Sequence, residues 1–145
     1  MKYRSLAIVG TLLTAMVCTV GTASIQQFTV ALPDGWRSSS EVLLILKDVE
    51  VPRDTPAKLR VYATVDDRGE RHLLGSYGLV ADAPDARGTR RLERLPIAIT
   101  TGLRSWKNAP DGVTKIQIVV EPVDAKGNRL AKFDWKAREV TFELR

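Results

Sequence analysis

KLRVYATV, residues 58–65, sets Leu59, Val61, Ala63 and Val65 on one side of an extended chain and Lys58, Arg60, Tyr62 and Thr64 on the other. Side chains alternate with period two along a strand, whereas a helix would scatter these four apolar residues around its circumference. Asp66-Asp67-Arg68-Gly69 follows with turn-forming residues, and residues 72–80 return with further aliphatics, so the stretch predicts a β-hairpin.

Short apolar segments of the same kind recur on both sides of it. Residues 28–32 form the first, closed by Pro33-Asp34-Gly35, and residues 41–51 the second. Within the second, Val42-Leu43-Leu44-Ile45-Leu46 is continuous rather than alternating, which predicts a strand buried on both faces. Residues 92–99 align Leu95, Ile97 and Ile99, and Pro96 among them favours an edge or a bulge because it donates no ladder hydrogen bond. Residues 114–123 point Ile116, Ile118 and Val120 inward. One helix is expected, over residues 101–108, with Thr100 or Thr101 as its cap, Leu103 and Trp106 on one face and Pro110 as its stop. Strands in succession with turns between them predict an all-β fold: one antiparallel β-sandwich or barrel of about seven strands with a single short helix.

Residues 130–144 close the fold with an internal contradiction. Phe133 and Trp135 stand at odd positions, in the run Lys132-Phe133-Asp134-Trp135, whereas Val140, Phe142 and Leu144 stand at even ones. A single regular strand would send the two sets to opposite faces, so a bulge or break is expected near residues 137–139.

Residues 1–24 carry Lys2 and Arg4, an apolar run from Leu6 to Val20 and small residues at Gly21, Ala23 and Ser24, which predicts a secretory signal peptide cleaved near Ala23. The run is shorter than a membrane span and is interrupted by Thr11, Thr14 and Thr19, so no stable span is expected after cleavage. Loss of Lys2 and Arg4 takes the formal charge from +5 to +3, and the remaining charges are interspersed, which does not point to nucleic acid. The one cysteine, Cys18, lies inside the signal segment. The mature domain, residues 25–145, is therefore expected to be held by packing and sheet hydrogen bonds in a periplasmic or secreted location, without disulfides.

Catalytic chemistry finds little to work with. Nucleophilic catalysis needs a nucleophile, a base and an orienting group, and the mature chain offers one histidine and no thiol. His72 reads as a solvated histidine at a strand end, and a lone imidazole does not make a zinc or copper site. Asp66, Asp67, Asp82, Asp85 and Asp124 fall mainly in turns, Ser38-Ser39-Ser40 reads as a flexible connector, and the arginines 87, 90, 91 and 94 are interrupted by Glu93 and lack interleaved aromatics. Trp36, Trp106 and Trp135 adjoin core-patterned residues and are assigned to the core; exposed and coplanar, they would instead make a glycan platform. No catalytic, cofactor or metal site is expected.

The order EVLLILKDVEVPRDTPAKLRVYATV, LLGSYGLV, LPIAITTGLRSW and DGVTKIQIVVEPVDAKG nevertheless resembles the C-terminal domain of plant-type polyphenol oxidases, the tyrosinases and catechol oxidases. Lys58-Leu59-Arg60-Val61 stands where that family has Lys-Phe-Asp-Val, keeping the Lys and the Val. Gly75-Ser76-Tyr77 matches its Gly-Ser-Phe element, and Ile99-Thr100 its helix start. The resemblance implies a β domain that packs over the dicopper site of an attached catalytic domain and keeps that enzyme latent. No counterpart of the family's six copper-binding histidines exists here. What the resemblance then implies is a separately encoded, exported shielding domain acting in trans on a tyrosinase-like dicopper partner, in functional analogy to bacterial tyrosinase caddie proteins. Tyr77 and the loop residues Asp82, Pro84, Asp85 and Arg87 are the expected contacts, and the simpler reading of Tyr77 is a strand residue in the core. An extracytoplasmic glycan-binding module and a structural subunit joined through strand edges are the other classes.

Overall fold

A computed structural model describes residues 24–65, 69–111 and 114–145. Residues up to Ala23, including Cys18, over which a signal peptide is expected, and Asp66, Asp67 and Arg68, where the turn is expected, lie outside the described residues. The strands are β1 (Gln26–Ala31), β2 (Val42–Pro52), β3 (Ala57–Thr64), β4 (His72–Leu79), β5 (Thr89–Ala98), β6 (Lys115–Val123) and β7 (Glu139–Leu144), with one helix, α1 (Thr100–Arg104), between β5 and β6. They form two antiparallel sheets, one ordered β1-β6-β3-β4 and the other β5-β2-β7, which is a sandwich and not a closed barrel. β3 and β4 pair as the hairpin reading requires, and β5, with Pro96, is an edge strand.

The alternations seen in the sequence become the core. Leu59, Val61 and Ala63 from β3, Ile116, Ile118 and Val120 from β6, and Val42, Leu44 and Leu46 from β2 all pack between the sheets. Leu43 and Ile45 are buried as well, on the outer face of the second sheet. Arg94 of β5 and Glu143 of β7 flank β2 on either side and join at 2.7 Å, so this ion pair passes over Ile45 and its aliphatic stems roof the outer face.

The predicted break near residue 138 belongs to a larger feature. On β2 the inward positions are 42, 44 and 46, then 49 and 51, so two successive residues, Lys47 and Asp48, stand outside the core. On β5 the inward set changes from Leu95 and Ile97 to Leu92, leaving Glu93 and Arg94 outside. On the third chain it changes from Val140 to Ala137, Trp135 and Phe133, leaving Arg138 and Glu139 outside. The pairing register does not slip: Lys47 faces Arg94 and Glu139, and beyond the break Val49 faces Leu92 while Glu50 bridges Lys136. All three chains therefore rotate together at one level, and the core face continues across it. Asp48 marks the level with φ of 50°, the left-handed region that Asp tolerates better than most residues. Its carboxylate accepts hydrogen bonds from Arg91 at 2.8 Å and Arg138 at 3.3 Å, one from each neighbouring chain. The Arg91 bond above all, with the charges of both guanidinium groups, holds the Asp48 carboxyl below its ordinary range. Arg94 and Arg145 do the same to Glu143.

Several expectations are corrected. The Lys132-Phe133-Asp134-Trp135 run alternates dry and wet as expected, yet past the rotation it keeps a single bridge, Glu50 to Lys136, and is not part of a strand. Trp135 anchors it: the indole Nε1 donates to the Ser24 carbonyl at 2.6 Å, and Gln26 Nε2 donates to the Trp135 carbonyl at 3.1 Å. The helix is five residues long instead of eight, and neither threonine caps it. Thr100 Oγ1 instead accepts from the Val42 N–H at 2.9 Å, which ties the helix start to β2. Gly102 presses α1 against β4 so closely that a Cβ there would overlap the Leu74 backbone, and the chain then turns to bring Trp106 into the core. The serines 38–40 are tied down, with Ser38 and Ser39 donating to the Gly35 carbonyl and Ser40 to that of Arg145.

Two tests follow from this geometry. Asp48→Asn keeps a side chain suited to the left-handed backbone and removes the charge together with one of the two acceptor oxygens, as protonation of the carboxylate also does. Because the native carboxyl titrates below its unfolded value, its stabilisation is present above the ordinary carboxylate range and lost as the pH falls through the native value. Urea midpoints should therefore show a deficit for Asp48→Asn near neutrality that closes below about pH 4; a deficit independent of pH would remove the charge from the account. Gly102→Ala should destabilise by about 3 kcal/mol or more, since the obstructing atoms are backbone, and an unchanged thermal midpoint would show that α1 can lift off β4 freely.

Candidate functional site

The side chains singled out in the sequence lie on β4 and the loop after it. β4 is the outer strand of its sheet, paired with β3 on one side. Tyr77 sits opposite Leu59 and so shares its face, but at the sheet's rim the core ends before it, and Tyr77 is 36% exposed. The expectation of a core residue there is overturned by this edge position. Leu73, Val80 and Val65 are also exposed, Val80 by 75%.

The loop over residues 80–88 is held by two arginines. Arg53 donates through Nε to Asp82 at 2.9 Å, its carbonyl accepts the Asp82 N–H at 2.8 Å, and its own N–H reaches the Gly88 carbonyl at 3.1 Å. Arg90 donates to the other Asp82 oxygen at 3.2 Å and to the Val80 carbonyl at 2.6 Å. Asp82 thus pins the loop from within, while Pro84, Asp85 and Arg87 stand exposed on it. The five expected contacts fall on one continuous stretch of chain, all exposed, with Asp82 also engaged by Arg53 and Arg90. The basic cluster is divided among acidic partners, with Arg90 on Asp82, Arg91 on Asp48 and Arg94 on Glu143.

His72, expected to be solvated, is half-buried at the start of β4, its ring stacked on Trp106 with centroids 6.1 Å apart and planes within 9°. Its Nε2 lies 2.9 Å from the Gly102 carbonyl and 3.1 Å from Ser105 Oγ. A carbonyl only accepts, so the ring carries its proton on Nε2 and cannot take one from Ser105 there. The pair looks like a catalytic dyad by distance and works as a clamp between α1 and β4. Trp36, Trp106 and Trp135 are all buried and offer no glycan platform. Among the described residues no three His, Cys, Asp or Glu side chains are grouped to hold a metal ion, and no helix is long and apolar enough to cross a membrane. An open depression of about 350 Å³ lined by Asp48, Glu50, Arg91, Lys136, Ala137 and Arg138 holds charges already paired with one another. What this arrangement can do is present a shaped, anchored loop and a strand rim to another macromolecule.

The fold is similar to that of two solved structures of a latent aurone synthase, a polyphenol oxidase. One is the enzyme from its natural source, with a TM-score of 0.56 and 14% identity, and the other is recombinantly expressed, with 0.57 and 13%. Each match covers 86% of this chain and 25% of the oxidase chain. The chain thus spans about a quarter of the length of these oxidases, a share consistent with a single domain such as the C-terminal one. No family model matches the sequence, and no curated protein does. At this identity the likeness is one of fold.

Asp82→Ala should loosen the loop without unfolding the sandwich. Amide hydrogen exchange over residues 80–88 is expected to accelerate at least about tenfold, while global stability falls by no more than about 1 kcal/mol, as for a partly exposed ion pair. Unchanged exchange would show that the backbone bonds of Arg53 suffice alone.

Proposed function

We propose that this protein is an exported, non-catalytic accessory chain that docks on a separately encoded tyrosinase-like dicopper protein and shields its site or assists its maturation. The observation that carries this reading is the likeness of a quarter-length fold to part of a latent polyphenol oxidase. The sequence resemblance in the same strand order supports it. So does the placement of Tyr77, Pro84, Asp85 and Arg87, exposed on β4 and on a loop whose base is fixed by Arg53 and Arg90. A docking loop held in one shape before binding loses less entropy on association than a mobile one. Removal of the segment up to Ala23 on export would leave Ser24, whose carbonyl meets Trp135, at the start of the mature chain. An assembly role through strand edges is favoured by one separate feature, the exposed apolar rim of β4.

Mixing the mature protein with a tyrosinase-like enzyme that lacks a C-terminal domain tests the proposal. Phenol oxidation should fall, or copper loading rise, in proportion to complex formation, and Tyr77→Ala with Arg87→Ala should weaken the effect about tenfold or more, as for contacts near the centre of an interface. No complex, together with unchanged activity and copper content, would rule the role out for that enzyme class.

A further inference from the structure

Residues 72–81, HLLGSYGLVA, contain no charged side chain in a chain where 27% of residues are charged and the net formal charge is +5. This stretch runs the length of β4, at the open rim of its sheet. α1 covers the rim at Leu74, and beyond that point Ser76, Tyr77, Gly78 and Val80 are all exposed. A strand at a sheet edge turns unpaired backbone N–H and C=O groups outward, and proteins ordinarily guard such edges with lysine, proline or a bulge. None of these occurs between Ser76 and Leu79, β4's one register irregularity lies opposite Val61 and Tyr62, toward its other end, and at Val80 the carbonyl is already taken, by Arg90 at 2.6 Å.

We propose that the Ser76–Val80 rim pairs antiparallel with the same rim of a second copy about a two-fold axis near Gly78. Two features select a second copy over another partner. Antiparallel pairing of a strand with itself is self-complementary, donors meeting acceptors by symmetry. β4 itself carries no charge, and Lys58 and Arg60, opposite Gly78 and Ser76, stand one strand back from the seam. Two net-basic molecules can therefore meet along it with little like-charge repulsion, whereas an unlike partner would be drawn to the basic residues elsewhere on the surface. Gly78 fits the axis: a Cβ there would meet nothing within 4 Å, so its missing side chain serves no packing in the monomer and leaves the backbone open to close approach. Tyr77 then falls opposite Leu79 of the copy and diagonal to the copy's Tyr77, and Val80 falls opposite Ser76. Five residues of rim make a small interface, which places the dimer in the weak, reversible range, with a dissociation constant on the order of 100 µM. The inference shares Tyr77 and the β4 rim with the roles proposed above, but its test uses this protein alone, so the two fail separately.

Sedimentation velocity of the mature protein between about 5 µM and about 500 µM should show a monomer passing into a dimer. Gly78→Lys places two like charges at the axis; it also stands opposite Lys58 of β3, so its thermal midpoint is checked to confirm a folded monomer, and it should weaken association at least about tenfold. Gly78→Thr, neutral and suited to a strand, should weaken it far less. A monomer at every concentration would overturn the proposal, and so would a dimer equally strong in Gly78→Lys.

Discussion

One carboxylate at the middle of an eleven-residue strand sets the shape of the second sheet. Asp48 lies where β2, β5 and the chain leading into β7 rotate together, and its two arginine partners come one from each neighbour. A rotation in β2 alone would have turned Val49 and Val51 to solvent. Made in three chains at one level, it keeps the apolar face continuous across the break. The inward placing of Trp135, and with it the hydrogen bond back to Ser24, depends on that rotation.

Much of this was legible in the sequence because period two is an unambiguous signal. The alternating faces of residues 58–65 and 114–123, the doubly buried run at 42–46 and the edge position of Pro96 required only local pattern. The parity change between Trp135 and Val140 was legible too. Its counterpart in VLLILKDVEV was not noticed, because five consecutive apolar residues carry no parity of their own, and the change appears only on comparing Leu46 with Val49. The helix was overdrawn because Leu103 and Trp106 have helical spacing, whereas contact with β4 through Gly102 decided where the turn ended. His72 was read as solvated because its partners, Gly102 and Ser105, lie about 30 residues away in the sequence.

The candidate surface was less legible than the fold. Sequence located Tyr77 and the loop through a family order, and the expectation that Tyr77 is buried failed because exposure at a rim depends on where the opposing sheet stops. Asp82 is exposed like Pro84, Asp85 and Arg87, but its carboxylate is already engaged by two arginines, one just past β2 and one at the start of β5. The loop owes its form to ion pairs and backbone bonds that no local pattern displays.

The ladders have a kinetic consequence. β1 pairs with β6, and β2 with β7, so each sheet is closed by strands roughly ninety to one hundred residues apart in the chain, and Trp135 reaches back to Ser24. Closing such long loops before any contact rewards them makes folding slow. The first sheet cannot be completed until residues 115–123 are available, nor the second until residues 139–144 are. A chain threaded outward from its first residue would therefore stay open along its length and acquire its core in one late step, on the far side.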